Sequence, residues 1–246
     1  MKHVAIFGAT SPVARALAAE LAREGYGLVL LGREQEEVQA VAADVHLRHA
    51  VPAHALVFDA LAFQTHARAW EDARAAAGDE LAGVVVCFGY LGDQMEAQKD
   101  LAEAWRILDV NLTAAVSVLN LAANYFEARQ MGFLCALSSV AGDRGRQSNY
   151  LYGAAKGGLS VYLEGLRNRL FRSGVAVVTI KPGFLDTRMT YGRAGLFLVA
   201  SPEQAARAIL TAIRKRKTTA YVPGFWRWIM LVIRAIPEAV FKRMRL

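Results

Sequence analysis

The sequence is sparing with the residues that usually staple or anchor a fold. Two cysteines occur in 246 residues, Cys87 and Cys135. Each sits inside an apolar run (VVVCF, GFLCALS) without CxxC spacing or a partner histidine, so buried reduced thiols are expected. No apolar run reaches the roughly 18 residues of a spanning helix; the longest candidate, FWRWIMLVIRAI from Phe225 to Ile236, is interrupted by arginine. The opening run VAIF is four residues long before Gly8, too short for the apolar core of a signal peptide. Internal repeats and low-complexity segments are also missing, and HAVPAH is a tight loop rather than a linker. His46, His49 and His54 lack a Cys or carboxylate at ligand spacing, so a surface connection is expected and no metal site is assigned.

Acidic charge is scarce at one end. Residues 214–246 carry nine Lys/Arg against the single acid Glu238, a net +8, which leaves 20 bases against 21 acids in residues 1–213. The overall +7 therefore belongs to the tail. Residues 1–223 read as one domain and residues 224–246 as a basic amphipathic appendage.

What is present is an alternation of short β-rich runs with longer helical patterns. The strands expected are 3–7, 27–32, 54–58, 83–88, 133–138, 175–180 and 220–223, each nearly continuous in apolar residues, as for strands covered on both faces. Helical segments at 102–128 and 151–171 carry the stripes Leu108, Leu112, Val116, Leu119 and Leu159, Leu163, Leu166, Leu170. Ser201 and Pro202 open another helix. The fold class expected is α/β: a doubly wound Rossmann fold, with a seven-stranded parallel sheet, helices on both faces, and ligands at the carboxyl ends of the strands.

The turn FGATSPVARA after the first strand resembles a phosphate-binding loop in which Gly8 survives while Pro12 and Ala14 replace two glycines. Ser11 can cap the following helix, Pro12 suits its first position, and the hydroxyls of Thr10 and Ser11 can offset the donor lost at Pro12. Gly8, Thr10, Ser11, Pro12 and Val13 are thus candidate dinucleotide ligands. Arg33, after the second strand, stands where many such folds carry an acid for the ribose 2′-hydroxyl, so it favours a 2′-phosphate and NADP(H) over NAD(H); the alternative is an exposed arginine at a strand end. Asp59 is a candidate partner for the adenine amino group.

Tyr152 and Lys156 lie four apart on one helical face, Ser139 closes the fifth strand, and Asn111 interrupts an apolar helix. With these pieces the chain resembles the short-chain dehydrogenase/reductase family over residues 3–222, through GATSPVA, LLGRE, VNLTAAV, ALSSVAG, YGAAK and KPGFLDT. The resemblance implies a catalytic tetrad of Asn111, Ser139, Tyr152 and Lys156, a small-molecule or lipid-linked carbonyl substrate, and a homodimer or homotetramer formed by the two long helices. It places Pro182, Gly183 and Thr187 beside the nicotinamide, with Gly89 retained in CFGYLG where most members carry Asn-Asn-Ala-Gly. By this reading Lys156 lowers the pKa of the Tyr152 phenol and Asn111 positions a water. Alternatives stay open: Ser138 instead of Ser139 facing the cleft, Asn111 as a satisfied core amide, and Pro182-Gly183 as a plain turn.

The tail VPGFWRWIMLVIRAIPEAVFKRMRL is apolar around most of a helix, with Arg227 and Arg234 on one narrow face. Charge segregation favours contact of residues 225–246 with a membrane surface over a flap on the cleft or on a partner subunit, and nucleic acid is not expected. Together with GATSPVA, the ending also resembles a branch of the family, reductases of polyprenyl-phosphoryl 2-keto-pentoses. A cytoplasmic enzyme, peripheral at the inner face of the membrane, is the localisation expected.

Overall fold

Seven parallel strands form one sheet in the order β3-β2-β1-β4-β5-β6-β7: β1 His3–Phe7, β2 Gly27–Gly32, β3 Ala53–Val57, β4 Leu81–Val86, β5 Phe133–Leu137, β6 Ala176–Pro182 and β7 Thr219–Val222. The computed structural model describes residues 1–187 and 198–244. Arg245, counted among the bases of the tail, lies outside them. Successive crossovers run outward from β1 in both directions, so the sheet is doubly wound and its switch point lies between β1 and β4.

Side chains alternate between two cores. On one face α1 (Pro12–Arg23), α2 (Gln35–His49) and α8 (Pro202–Arg214) enclose Val4, Ile6, Leu28, Leu30 and Val178. On the other α3 (His66–Ala77), α6 (Ala114–Arg129) and α7 (Tyr150–Leu170) enclose Ala5, Phe7, Val29, Leu31 and Val84. Both faces being covered explains the continuous apolar strands. Edge strand β3 departs from that expectation: it is only half buried, and Val57 is exposed, because the sheet ends there. Its neighbours His46 and His49 belong to the last turn of α2 and His54 to β3 itself, rather than to a connection.

Local chemistry accounts for the helix starts. The Ser11 side chain accepts the Ala14 N–H ahead of Pro12, and Ser201 and Gln204 form a reciprocal capping box around Pro202. Between Gln94–Ala97 (α4) and α6, the helix α5 (Leu101–Leu108) runs into α6 through a π turn at Asp109–Thr113. The wide turn displaces the stripe expected on this segment. Leu108, Leu112 and Val116 are only half buried, and the inward row is Ile107, Asn111, Ala115, Val118, Leu119 and Ala122. Residues Leu101–Arg129 are long and apolar enough to cross a bilayer, yet half of their most apolar window is buried in the fold. On α7 the stripe Leu159, Leu163, Leu166, Leu170 is buried as expected.

After β7 the chain forms α9 (Trp226–Ala235) and α10 (Glu238–Phe241). Trp226 and Met230 are buried against Val140, while the guanidinium of Arg144 donates to the carbonyls of Ile233, Arg234 and Ile236 and pairs with Glu238 at 2.9 Å. The appendage is thus fastened to the segment that follows β5.

Candidate active site

At the switch point Gly8 has φ +85°, and a Cβ there would lie 2.5 Å from the backbone nitrogen of Phe88. Glycine is needed there for conformation and for the close approach of the Phe88 backbone, which packs this turn against the segment after β4. Ser11 spends one lone pair on the Ala14 N–H and keeps its proton to donate, as Thr10 does. Ala14 is fully buried, which shows that a methyl is accommodated where a glycine was expected, and Val13 is buried beside it. The Thr10 and Ser11 hydroxyls and the start of α1 fit a dinucleotide's pyrophosphate.

The far end of this cleft is mixed in charge. Arg33 is exposed and pairs with Glu34 at 2.9 Å, while Arg15, not singled out from the sequence, approaches Glu37 at 3.7 Å. Asp59 stands two residues beyond β3; its carboxylate accepts the Leu61 N–H at 2.9 Å, and its carbonyl faces Nε2 of buried His66 at 3.2 Å. Gly89 is exposed just past β4.

Tyr152 and Lys156 stack one turn apart at the start of α7, both buried. The Lys156 ammonium donates to the Leu137 carbonyl at 2.9 Å and lies 5.8 Å from the centre of the Tyr152 ring. Burial pushes the Tyr152 phenol up to about 12, opposed by a hydrogen bond with Ser139. Burial draws Lys156 down to about 8. Burial thus outweighs the Ser139 contact at the phenol, and the Lys156 ammonium is anchored on the end of β5.

A consequence can be measured. Between pH 8 and the ordinary lysine value of 10.5, the unfolded chain binds a proton at Lys156 that the fold does not, so stability rises with pH across that window. Lys156→Met is expected to flatten that rise in urea unfolding; an unchanged slope would assign it to other groups.

Neighbours Ser138 and Ser139 face opposite ways. The Ser138 hydroxyl is buried against the Lys156 carbonyl and Ser160 Oγ, each at 2.8 Å, while Ser139 faces Tyr152 and accepts the Ala141 N–H at 3.1 Å. Asn111, fully buried in the π turn, spends both amide protons on the carbonyls of Tyr90 (2.5 Å) and Ile107 (2.8 Å), and its Oδ1 accepts the Tyr90 N–H at 3.1 Å. It is a satisfied core amide that braces the segment after β4, with one Oδ1 lone pair to spare. Tyr90 in turn donates to Glu103 at 2.8 Å and lies under the Arg106 guanidinium, a cluster that sequence reading missed because Tyr90 comes from the loop after β4, 13 residues before Glu103.

Pro182 ends β6, paired with Val222, and the Gly183 N–H donates to the Val222 carbonyl at 2.9 Å, so Pro182-Gly183 continues the ladder instead of turning. Gly183 is needed for another reason: a Cβ there would fall 1.9 Å from the Trp226 indole. Next to it, Lys181 pairs with Asp143 at 2.5 Å, and the Tyr221 hydroxyl donates to the other Asp143 oxygen at 2.8 Å. These partners lie 38 and 78 residues apart in sequence, so no local pattern announces them. Thr187 closes the described part of this segment.

The profile of the family described as short chain dehydrogenase matches residues 2–194. The chain belongs to that family. As a short-chain dehydrogenase it is an NAD(P)-dependent oxidoreductase. An uncharacterized oxidoreductase of Mycobacterium tuberculosis is 34% identical over 98% of this chain and 96% of its own length. Among solved structures, a short-chain dehydrogenase from Sphingobium yanoikuyae in complex with NADPH superposes with a TM-score of 0.83 at 24% identity, covering 97% of this chain and 98% of its own. A variant of actinorhodin polyketide ketoreductase with NADPH gives 0.81 at 18% identity, over 91% and 97% of the two chains. At those identities the two structures share the short-chain dehydrogenase's fold.

Proposed function

We propose that this short-chain dehydrogenase is an NADPH-dependent ketone reductase whose reacting groups are Ser139, Tyr152 and Lys156. The observation that carries the reading is that buried Tyr152 and Lys156, one turn apart on α7, meet the carboxyl end of β5, where the Lys156 ammonium donates to the Leu137 carbonyl at 2.9 Å two residues before Ser139. Gly8, Thr10, Ser11, Pro12 and Val13 would hold the pyrophosphate, Asp59 the adenine, Arg33 the 2′-phosphate, and Gly89, Pro182, Gly183 and Thr187 the nicotinamide half. Bound there, the dinucleotide supplies hydride chemistry. Tyr152 gives its proton to the carbonyl oxygen as that oxygen gains charge, and Ser139 donates a second hydrogen bond to the same atom. Lys156 would hold the nicotinamide ribose and return a proton to Tyr152. Asn111 acts as a positioning residue, with its remaining Oδ1 lone pair for the water that connects Lys156 to solvent.

Both NADPH complexes among the solved relatives support the cofactor, and Arg33 supports the preference. Arg33→Ala is expected to weaken NADPH about tenfold or more in a fluorescence titration while leaving NADH nearly unchanged. Equal losses for both would show that Arg33 stays with Glu34 and reads no phosphate.

For the substrate we infer an amphiphilic carbonyl carried on a lipid, such as a polyprenyl-phosphoryl keto-sugar. The partly exposed Phe184, packed against the buried cluster of Trp226, Met230 and Val140, the residue that follows Ser139, supports it. The same residues favour a second reading, a fatty, steroid or small carbonyl substrate with α9 as a fixed wall. NADPH consumption with each class decides between them, and tight NADPH binding without turnover of any ketone would favour a dinucleotide-binding scaffold. A dimer or tetramer through residues 101–129 and 150–170 accords with the exposed Val161 of α7 and is checked by light scattering.

A further inference from the structure

Helix α9 has two apolar faces, and the fold uses one. Trp226 and Met230 point inward, with Ile229 and Ile233 partly covered beside them. Trp228, Leu231 and Val232 point outward and are 63%, 59% and 65% exposed, three large apolar side chains in adjacent turns of one helix. At 100° per residue they share the side of the helix opposite Trp226 and Met230. Such a cluster, bordered on one side by cations, is unusual on a water-facing surface.

The charges beside it have one sign. Arg227 and Arg234 border the outer face and are exposed, and Lys242 and Arg243 follow α10, also exposed. Arg227 lies 5.5 Å from the Trp228 ring, so cation and indole form one amphipathic edge. Glu238, the one acid of residues 214–246, is already paired with Arg144 at 2.9 Å. Beyond the helix, Val240 and Met244 are also exposed.

We propose that the outer face of α9 docks on an anionic lipid bilayer. Trp228, Leu231 and Val232 would enter the headgroup–acyl boundary, and Arg227, Arg234, Lys242 and Arg243 would meet lipid phosphates. A protein partner would match the apolar side chains equally well, but a cationic edge at Arg227 and Arg234, with Glu238 already paired to Arg144, fits a surface that is negative everywhere. The Arg144 clamp on the carbonyls of Ile233, Arg234 and Ile236 holds the helix in place, so docking needs no refolding of the tail. The proposal does not depend on the reductase reading, since its inward residues and the reacting groups take no part in it.

The test is co-sedimentation of the full chain with phosphatidylglycerol-containing vesicles and with pure phosphatidylcholine vesicles. Preferential pelleting with the anionic vesicles is expected, reduced about tenfold or more by the triple change Trp228→Ser, Leu231→Ser, Val232→Ser and weakened by salt. All three residues are exposed, so the variant keeps its fold, checked by its thermal unfolding. Brominated anionic lipid should quench the Trp228 emission, and Trp228→Phe should remove that quenching. Equal partition to both vesicle types, or no loss in the triple variant, overturns the proposal. So does a shift of the triple variant to a smaller oligomer without vesicle binding by the parent chain, which would mean that a second copy covers this face.

Discussion

Tyr152→Phe is expected to lower kcat for ketone reduction about 10³-fold while leaving the NADPH titration unchanged. On the transition-state scale that is about 4 kcal/mol, within reach of one positioned general acid. The change removes a single oxygen. The ring keeps its place on α7, the Lys156 ammonium keeps its bond to the Leu137 carbonyl, and Ser139 still accepts the Ala141 N–H. The fold therefore loses little, about 1 kcal/mol for one hydrogen bond. Ser139 alone can hold the carbonyl oxygen but, as an alcohol, cannot readily supply a proton near neutral pH. Single-turnover rates at saturating NADPH with a ketone the parent enzyme reduces make the comparison. Substantial residual turnover would take the acid role away from Tyr152 and hand it to solvent or another group.

Much of this arrangement is legible in the order of the amino acids. The continuous apolar strands, the caps at Ser11 and Ser201 and the four-residue spacing of Tyr152 and Lys156 are local patterns, and each falls where expected. Strand alternation leaves Ser138 and Ser139 as alternatives, the 13-residue spacing to Tyr152 favours Ser139, and the fold turns Ser138 toward Ser160. What stays hidden depends on contacts between distant segments. The π turn at Asp109–Thr113 adds no unusual residue, yet it turns Asn111 inward and shifts the buried row of the helix. Gly183 has the sequence context of a turn glycine and is in fact clearance for Trp226, which lies 43 residues later in the chain. For the tail, periodicity leaves flap and membrane surface as alternatives, but it cannot show that α9 packs by one face and exposes the other.

Asp143→Ala is expected to cost about 3–5 kcal/mol, the usual penalty for stranding one half of a buried ion pair. The Asp143 side chain is 2% exposed and that of Lys181 11%, so water cannot readily replace the lost carboxylate. The substitution also removes the acceptor of the Tyr221 hydroxyl, whose pKa burial and this carboxylate together push up to about 12. Against a total stability on the order of 5–15 kcal/mol, this is a large fraction. For a chain of this size it corresponds to a fall in Tm of roughly 6–20 °C. Replacing all three groups by apolar ones, Asp143→Leu with Lys181→Met and Tyr221→Phe, should recover most of the loss, because no charge or hydroxyl is then left unpaired. The triad ties the turn that follows Ser139 to β6 and β7, the two strands that lead into Gly183 and α9. The triple variant thus separates stability from geometry. Recovered Tm with weakened turnover would mean that the ion pair sets the position of Ser139, whereas a loss below about 1 kcal/mol in Asp143→Ala would show that solvent reaches Lys181 and that the pair carries neither role.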